Sequence, residues 1–409
     1  MMAQEQTEHL PLEQLVVLDL SRVLSGPYCS MMLGDMGATV WKVEPPSGDE
    51  CRGLAPPYIN GESAYYLSIN RNKLDICLDL RRPEGREILL KMADRADVLL
   101  ENFRPDMKER MGIGYGVISQ RNPRIVYCSI SGFGQDGPYK DRTGLDNIFQ
   151  GMAGMMQISG EEGSPPMKVG ERIADVIAGM QAAFGIMVAL HHRSLTQVGQ
   201  FLDLSLVDSL ISTQAALISY YFATGQQPPK RGNGSIFSAP TQMFPTADRP
   251  INLCIMLDKH WIKLCHALGL EGALHDPRFQ NNPLRVKNAD AVNEIVAQGL
   301  RTKPSSYWME VFMQSGIPCG YVYNYDEVFH DPQVLHNGML QEIDHPTVGK
   351  HKTIGLPIRL HGSPGKIRRP SPLLGQHSRE ILAEVGYRAE EIDSLIRNGI
   401  VKQADLPKR

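Results

Sequence analysis

Between residues 15 and 130 the chain alternates short apolar runs with longer amphipathic stretches. Residues 15–20, 39–43, 74–80, 96–100 and 124–130 are rich in Val, Ile and Leu, which predicts strands. Residues 25–36 and 86–95 carry helical periodicity between them. Strand, helix, strand in succession predicts a mainly parallel sheet covered by helices. Ligands of such sheets sit at the carboxyl ends of the strands, which here are residues 20–27, 44–48, 101–105 and 131–137. Residues 176–223 read as helical, broken by a polar hinge at 194–200. A Gly/Pro/Asn-rich linker follows at 225–234. Residues 239–325 read as a smaller α+β unit, with a hairpin around 247–250 and helices at 261–268, 289–300 and 306–315. The stretch from Asp331 is rich in Pro, Gly and His and closes with a helix at 378–385.

A chain of 409 residues is too long for one core, so two domains are expected. Its net charge of −3 gives no general reason to expect nucleic acid or an anionic membrane as a partner, so any anion site must be built locally. The seven cysteines are scattered without a Cys-x-x-Cys pair, which argues against a disulfide framework and a zinc ribbon. Reduced thiols in a cytoplasmic protein are the expectation, with no metal site. The first nine residues lack a basic segment followed by an apolar one, so no secretory signal is read there. The apolar runs are broken by polar residues well short of a membrane span.

Asp175 stands between a Gly/Ser/Pro-rich loop and a long run of small apolar residues. A carboxylate there reads as a helix N-cap, favoured by the helix dipole. The same field could instead hold an ionised nucleophile against a thioester. A nicotinamide site needs a Gly-rich turn after the first strand, and residues 21–27 hold one glycine where three are expected. His191 and His192 have no acidic residue at metal-ligand spacing, and no Gly-x-Ser-x-Gly elbow is present. Arg81, Arg82, Arg104 and Arg110 lie near the expected carboxyl edge of the sheet, where they could hold an anionic nucleotide.

With these residues in place, the chain resembles the class III CoA-transferases, the family of formyl-CoA and carnitine CoA-transferases. Residues 17–27, 33–38, 40–44, 68–73, 97–103 and 129–138 carry the likeness, with Asp175, Gly199-Gln200 and 372–377 completing it. Arg285, residues 331–338 and residues 345–349 are similar to the succinyl-CoA:dicarboxylate (succinate–hydroxymethylglutarate) branch. The resemblance implies an α/β fold with a large Rossmann-like domain built from residues 1–224 and 331–409. A linker and small α+β domain would occupy 225–330, and two chains would form an intertwined homodimer. Coenzyme A and acyl-CoA enter as substrates, with no permanently bound cofactor.

The implied reaction moves CoA from a donor, expected to be succinyl-CoA, to a small carboxylic or dicarboxylic acid. The matching nucleophile is Asp175, acting through an acyl anhydride and an aspartyl-CoA thioester. Val23 and Leu24 would contact the nucleotide, and Leu78, Arg81, Asn102, Phe103 and Arg104 would flank adenine and phosphates. Arg110 and Met111 match a further CoA-contacting pair, and Arg142 and Thr143 the pantetheine channel. Asp146 matches an acidic residue near the nucleophile. Arg71, Arg142 and Arg172 are the candidate cations for an acyl pocket.

Two departures from the family pattern stand out. The stretch matching a mobile Gly-rich loop is residues 255–261, which hold no glycine. Leu145 stands where formyl-CoA transferases have Tyr and the related α-methylacyl-CoA racemases have His. A racemase is the alternative reading, and Leu145 cannot serve as its second base. A non-catalytic CoA-binding protein would keep the arginines without needing Asp175.

Overall fold

The computed structural model describes residues 9–54 and 57–405. The first eight residues, part of the stretch read as carrying no secretory signal, lie outside them. The chain divides into two compact units, one of residues 1–153, 170–213 and 332–409, the other of 154–169 and 214–331. Residues 154–169 and 214–224 therefore group with the second unit, where the sequence placed them with the N-terminal part.

The first unit is built on β1 (Val16–Asp19), β2 (Thr39–Glu44), β3 (Lys73–Leu78), β4 (Val98–Glu101), β5 (Val126–Ser131) and β6 (Gln200–Ser205). Their order is β3-β2-β1-β4-β5-β6, all parallel, and the short strand Val401–Lys402 adds antiparallel to β3. Order reverses beside β1, so the loops after β1 and β4 diverge and leave a crevice at the carboxyl edge. Leu18, Trp41, Ile76 and Leu99 are buried on this sheet, and Ile88, Leu89 and Met92 of the helix Pro83–Ala93 pack with them.

The strand Gln200–Ser205 falls where the sequence predicted helix resuming after a hinge. Gln-Phe-Leu-Asp-Leu-Ser mixes polar and apolar positions between two apolar helical runs, so helical periodicity on both sides masks it. The hairpin of Leu340–His345 and Gly349–Ile354, and the helix Ala389–Arg397, were also not legible in the Pro/Gly/His-rich C-terminal stretch.

The second unit holds an antiparallel sheet of Thr241–Phe244, Ile251–Cys254 and Cys319–Tyr321. Helices Asp258–Leu268, Ala289–Leu300 and Ser305–Ser315 close a core around Trp261, Phe279, Trp308 and Phe312. Arg285 is fully buried here, donating to the carbonyls of Ala239 and Phe279 and to Asp258 at 2.7 Å. Residues 255–261, which replace a glycine loop, run from the end of the second strand into the first of these helices, with Met256 and Leu257 exposed.

Three helices of the first unit position the chemistry: α1 (Ser25–Asp35), α2 (Ala64–Ile69) and α3 (Asp146–Met152). A fourth, α4 (Ile173–Thr196), is among the described residues the one helix long and apolar enough to cross a membrane, contrary to the expectation from broken apolar runs. Ala174, Ala178, Ala182, Ile186 and Ala189 bury one face of it within the unit.

Candidate active site

Asp175 is not the N-cap of α4. It is the third residue of the helix, Arg172 occupies the cap position, and no side chain of Arg172 closes the turn. The cap comes from another helix. Asp146, the first residue of α3, accepts the backbone N–H of Ala174 at 2.8 Å with Oδ1 and the amide of Gln150 at 2.6 Å with Oδ2. An orphan amide of the first turn is thereby satisfied across 28 positions of sequence. Phe149 fixes α3, since its ring lies so close to Gly132 that an added Cβ would meet it at 2.7 Å.

The Asp175 carboxylate is half-buried, and the Ser25 hydroxyl lies near enough to favour its ionised form. Burial, and then the neighbouring negative charge of Asp146, push its pKa up to about 6 against the opposing effects of Arg172 and Ser25. A more basic carboxylate is a better nucleophile, and at neutral pH it remains mostly ionised. The close approach of α1 to α4 makes the Ser25 contact possible. At Gly179, one turn beyond Asp175, an added Cβ would stand 2.6 Å from the carbonyl oxygen of Ser25.

The loop that delivers Ser25 is tied down on all sides. Asn102, just after β4, donates to the Arg22 carbonyl at 2.7 Å and accepts the Arg22 N–H at 2.8 Å. Asp49 accepts the Val23 N–H at 3.1 Å, and Val23 itself has φ +66°. That conformation is strained for a β-branched residue and persists only because its surroundings over-determine it. Beneath the loop, fully buried Lys42 pairs with Asp49 at 2.9 Å and Lys73 with Asp19 at 3.2 Å. Burial brings the Lys73 ammonium down to about 8 even with Asp19 beside it.

The same loop borders a cavity of about 650 Å³ at the carboxyl edge of the sheet. Leu20 and Arg22, then Pro45 to Ser47 after β2, and Leu78 to Arg81 after β3 contribute to its wall. Arg86, Phe103, Met107, Arg110 and Met111 complete the cationic and apolar lining. Of the residues expected to hold CoA, Leu78, Arg81, Phe103, Arg110 and Met111 are brought together here. Val23, Leu24 and Asn102 shape the adjoining loop instead. Arg104 begins the helix Pro105–Arg110 from its exposed cap position. Arg142 lies 3.6 Å over the Tyr139 ring and, like Thr143, is exposed outside the cavity lining. Arg22 and Arg86 were missed by sequence reasoning; each is one arginine among many, marked only by the fold. Arg81 is paired with Asp79 at 2.8 Å on an exposed rim.

Among the candidate cations for an acyl group, Arg71 is committed elsewhere: it is buried against Asp35 at 2.7 Å and the Ile354 carbonyl. Arg172 is exposed, with its guanidinium 5.0 Å from the ring centre of Tyr65 and Nη1 donating to the Tyr65 hydroxyl at 3.3 Å. Tyr65 carried no signal in the sequence. Burial pushes its hydroxyl up to about 12 against the opposing charge of Arg172, with the Asp175 charge adding a smaller push upward.

A parallel sheet with an arginine-lined cavity at its carboxyl edge, and in the same unit a basic carboxylate at a helix start, is an arrangement suited to acyl transfer from an anionic donor. The chain belongs to CoA-transferase family III, whose model matches residues 12–378. It is 38% identical to the human succinyl-CoA:glutarate CoA-transferase, over 96% of this chain and 90% of that one. It is 35% identical to the succinate–glutarate CoA-transferase of Agrobacterium fabrum, over 92% and 96%. A crystal structure of a CAIB/BAIF family protein from Brucella suis is 34% identical and superposes with a TM-score of 0.82, covering 92% of this chain and 99% of that one. The protein is a CoA-transferase.

Proposed function

We propose that this enzyme transfers CoA from succinyl-CoA to a four- or five-carbon dicarboxylic acid with Asp175 as the nucleophile. The observation that carries the reading is the basicity of the Asp175 carboxylate, raised to about 6 by burial and by Asp146. The names of the human and Agrobacterium relatives support the donor and the acceptor class.

In the first step an oxygen of Asp175 attacks the thioester carbon of succinyl-CoA. The C–S bond breaks and CoA leaves as the thiolate. The thiolate then attacks the aspartyl carbonyl of the mixed anhydride, expelling succinate and leaving an aspartyl-CoA thioester. The acceptor carboxylate attacks that carbonyl and releases the thiolate again, giving a second anhydride. Return of the thiolate to the acceptor's acyl carbon yields the new acyl-CoA and free Asp175. Splitting the exchange in this way avoids a direct reaction between two poor nucleophiles. The cavity arginines would hold the CoA phosphates. Leu145, 72% exposed and without a titratable group, gives a racemase no second base.

The uncovered face of α4 supports the homodimer. Phe184 and Leu195 are each 73% exposed, with Met180 and Val188 beside Phe184 on the same stripe. A second copy of the chain is the partner we assign to it.

The test is peptide mass spectrometry after quenching a reaction with succinyl-CoA. The expected result is a CoA adduct on the peptide containing Asp175, and loss of turnover in Asp175→Asn. An adduct at another residue, or appreciable turnover in that variant, would overturn the assignment.

A further inference from the structure

We propose that Arg172, steadied on Tyr65, receives the distal carboxylate of the dicarboxylic acyl group while its other carboxyl carbon is bonded to Asp175. The inference rests on Asp175 being the nucleophile, and it assigns the residue that makes the enzyme select diacids.

A succinyl or glutaryl group carries a second negative charge into a site that already holds Asp175 and buried Asp146. Without a cation that charge would be repelled by both carboxylates. Arg172 directly precedes α4 and lies three residues before Asp175, a little under one helical turn. Arg172 is also the cation whose charge is felt at Asp175.

The guanidinium is held but not neutralised. The Tyr65 ring supports one face, and the Tyr65 hydroxyl accepts from Nη1. Among the described residues no acidic side chain lies within 4.0 Å of it. Glu171, its neighbour in sequence, has turned Oε1 to the backbone N–H of Arg172 at 2.8 Å. A planar, exposed donor edge therefore remains for two-point binding of a carboxylate. The Tyr65 hydroxyl keeps its own proton at neutral pH and can donate it to the same group.

The other candidates lack one part of this arrangement. Arg71 is consumed by Asp35, and Arg142 is stacked on Tyr139, away from Asp175's electrostatic neighbours.

The experiment supplies succinyl-CoA with an equimolar mixture of valerate and the wild type's best four- or five-carbon diacid. Glutarate is the first diacid tried. Arg172→Gln should raise the KM for the diacid about 10- to 100-fold, the range for loss of a charge-assisted hydrogen-bonded pair. It should lower the ratio of diacyl-CoA to valeryl-CoA by a similar factor and leave the affinity for free CoA unchanged. Arg172→Lys should recover part of the lost KM, and Tyr65→Phe should produce a smaller rise. An unchanged diacid KM and an unchanged product ratio in Arg172→Gln, whatever happens to kcat, would overturn the proposal. Failure of the function reading is separate: the wild type would then form no diacyl-CoA and no CoA adduct on Asp175.

Discussion

Replacing Asp175 by Asn should make the protein more stable while removing its activity. An aspartate in the unfolded chain titrates at its ordinary 3.8, whereas in the folded protein Asp175 titrates at about 6. Between those values the folded state holds a proton that the unfolded state has released. Stability therefore falls as pH rises from about 4 to about 6, and the loss is complete above the folded value. A difference of roughly two units corresponds to about 3 kcal/mol at 1.36 kcal/mol per unit. Asp175 is only half-buried, so water screens part of this, and about 1–3 kcal/mol is the working range. Asparagine carries no charge, yet its carbonyl can still accept from a nearby hydroxyl. Urea denaturation of wild type and Asp175→Asn at pH 4 and pH 8 checks the sign. Near pH 4 the curves should nearly coincide, and at pH 8 the variant should be the more stable. A variant equally or less stable at pH 8 would refute the idea that the fold strains to hold this carboxylate ionised.

Two further predictions follow from the same turn of helix. Asp146→Asn removes the negative charge that helps raise Asp175, so the acid limb of the kcat/KM profile, expected near pH 6 in the wild type, should move to lower pH; an unmoved limb would show that Asp175 does not control it. Gly179→Ala should cost about 1–2 kcal/mol in stability and lower kcat, because the added methyl meets the Ser25 carbonyl at 2.6 Å and drives Ser25 from Asp175. Helix propensity alone predicts the opposite sign, a gain of up to about 1 kcal/mol, so a stabilised and fully active alanine variant would contradict the close-packing argument.

What could be read from the sequence was what short-range pattern encodes. The strands β1 to β5 are mostly apolar runs whose boundaries fall within a few residues of prediction, because a parallel strand buried on both faces is rich in Val, Ile and Leu; the buried charges among them, such as Lys42 and Lys73, are paired. Leu78, Arg81, Phe103, Arg110 and Met111 were placed on one site by a family likeness. The sheet explains why they meet: Leu78 ends β3 and the others follow β3 or β4, all at the carboxyl edge of one parallel sheet. Sequence order could not give contacts made across loops. The N-terminus of α4 looked self-capped because Asp175 stands directly before the long apolar run, yet the capping oxygen belongs to Asp146. That exchange of roles bears on function. If Asp175 were the cap, its oxygens would be held by backbone amides and its pKa pulled down, leaving a weak nucleophile. With Asp146 doing the capping, Asp175 is left inside the first turn of the helix, near the Ser25 hydroxyl and a negative neighbour. A carboxylate so placed stays basic and free to attack, while the helix start keeps enough positive field to hold it ionised at neutral pH.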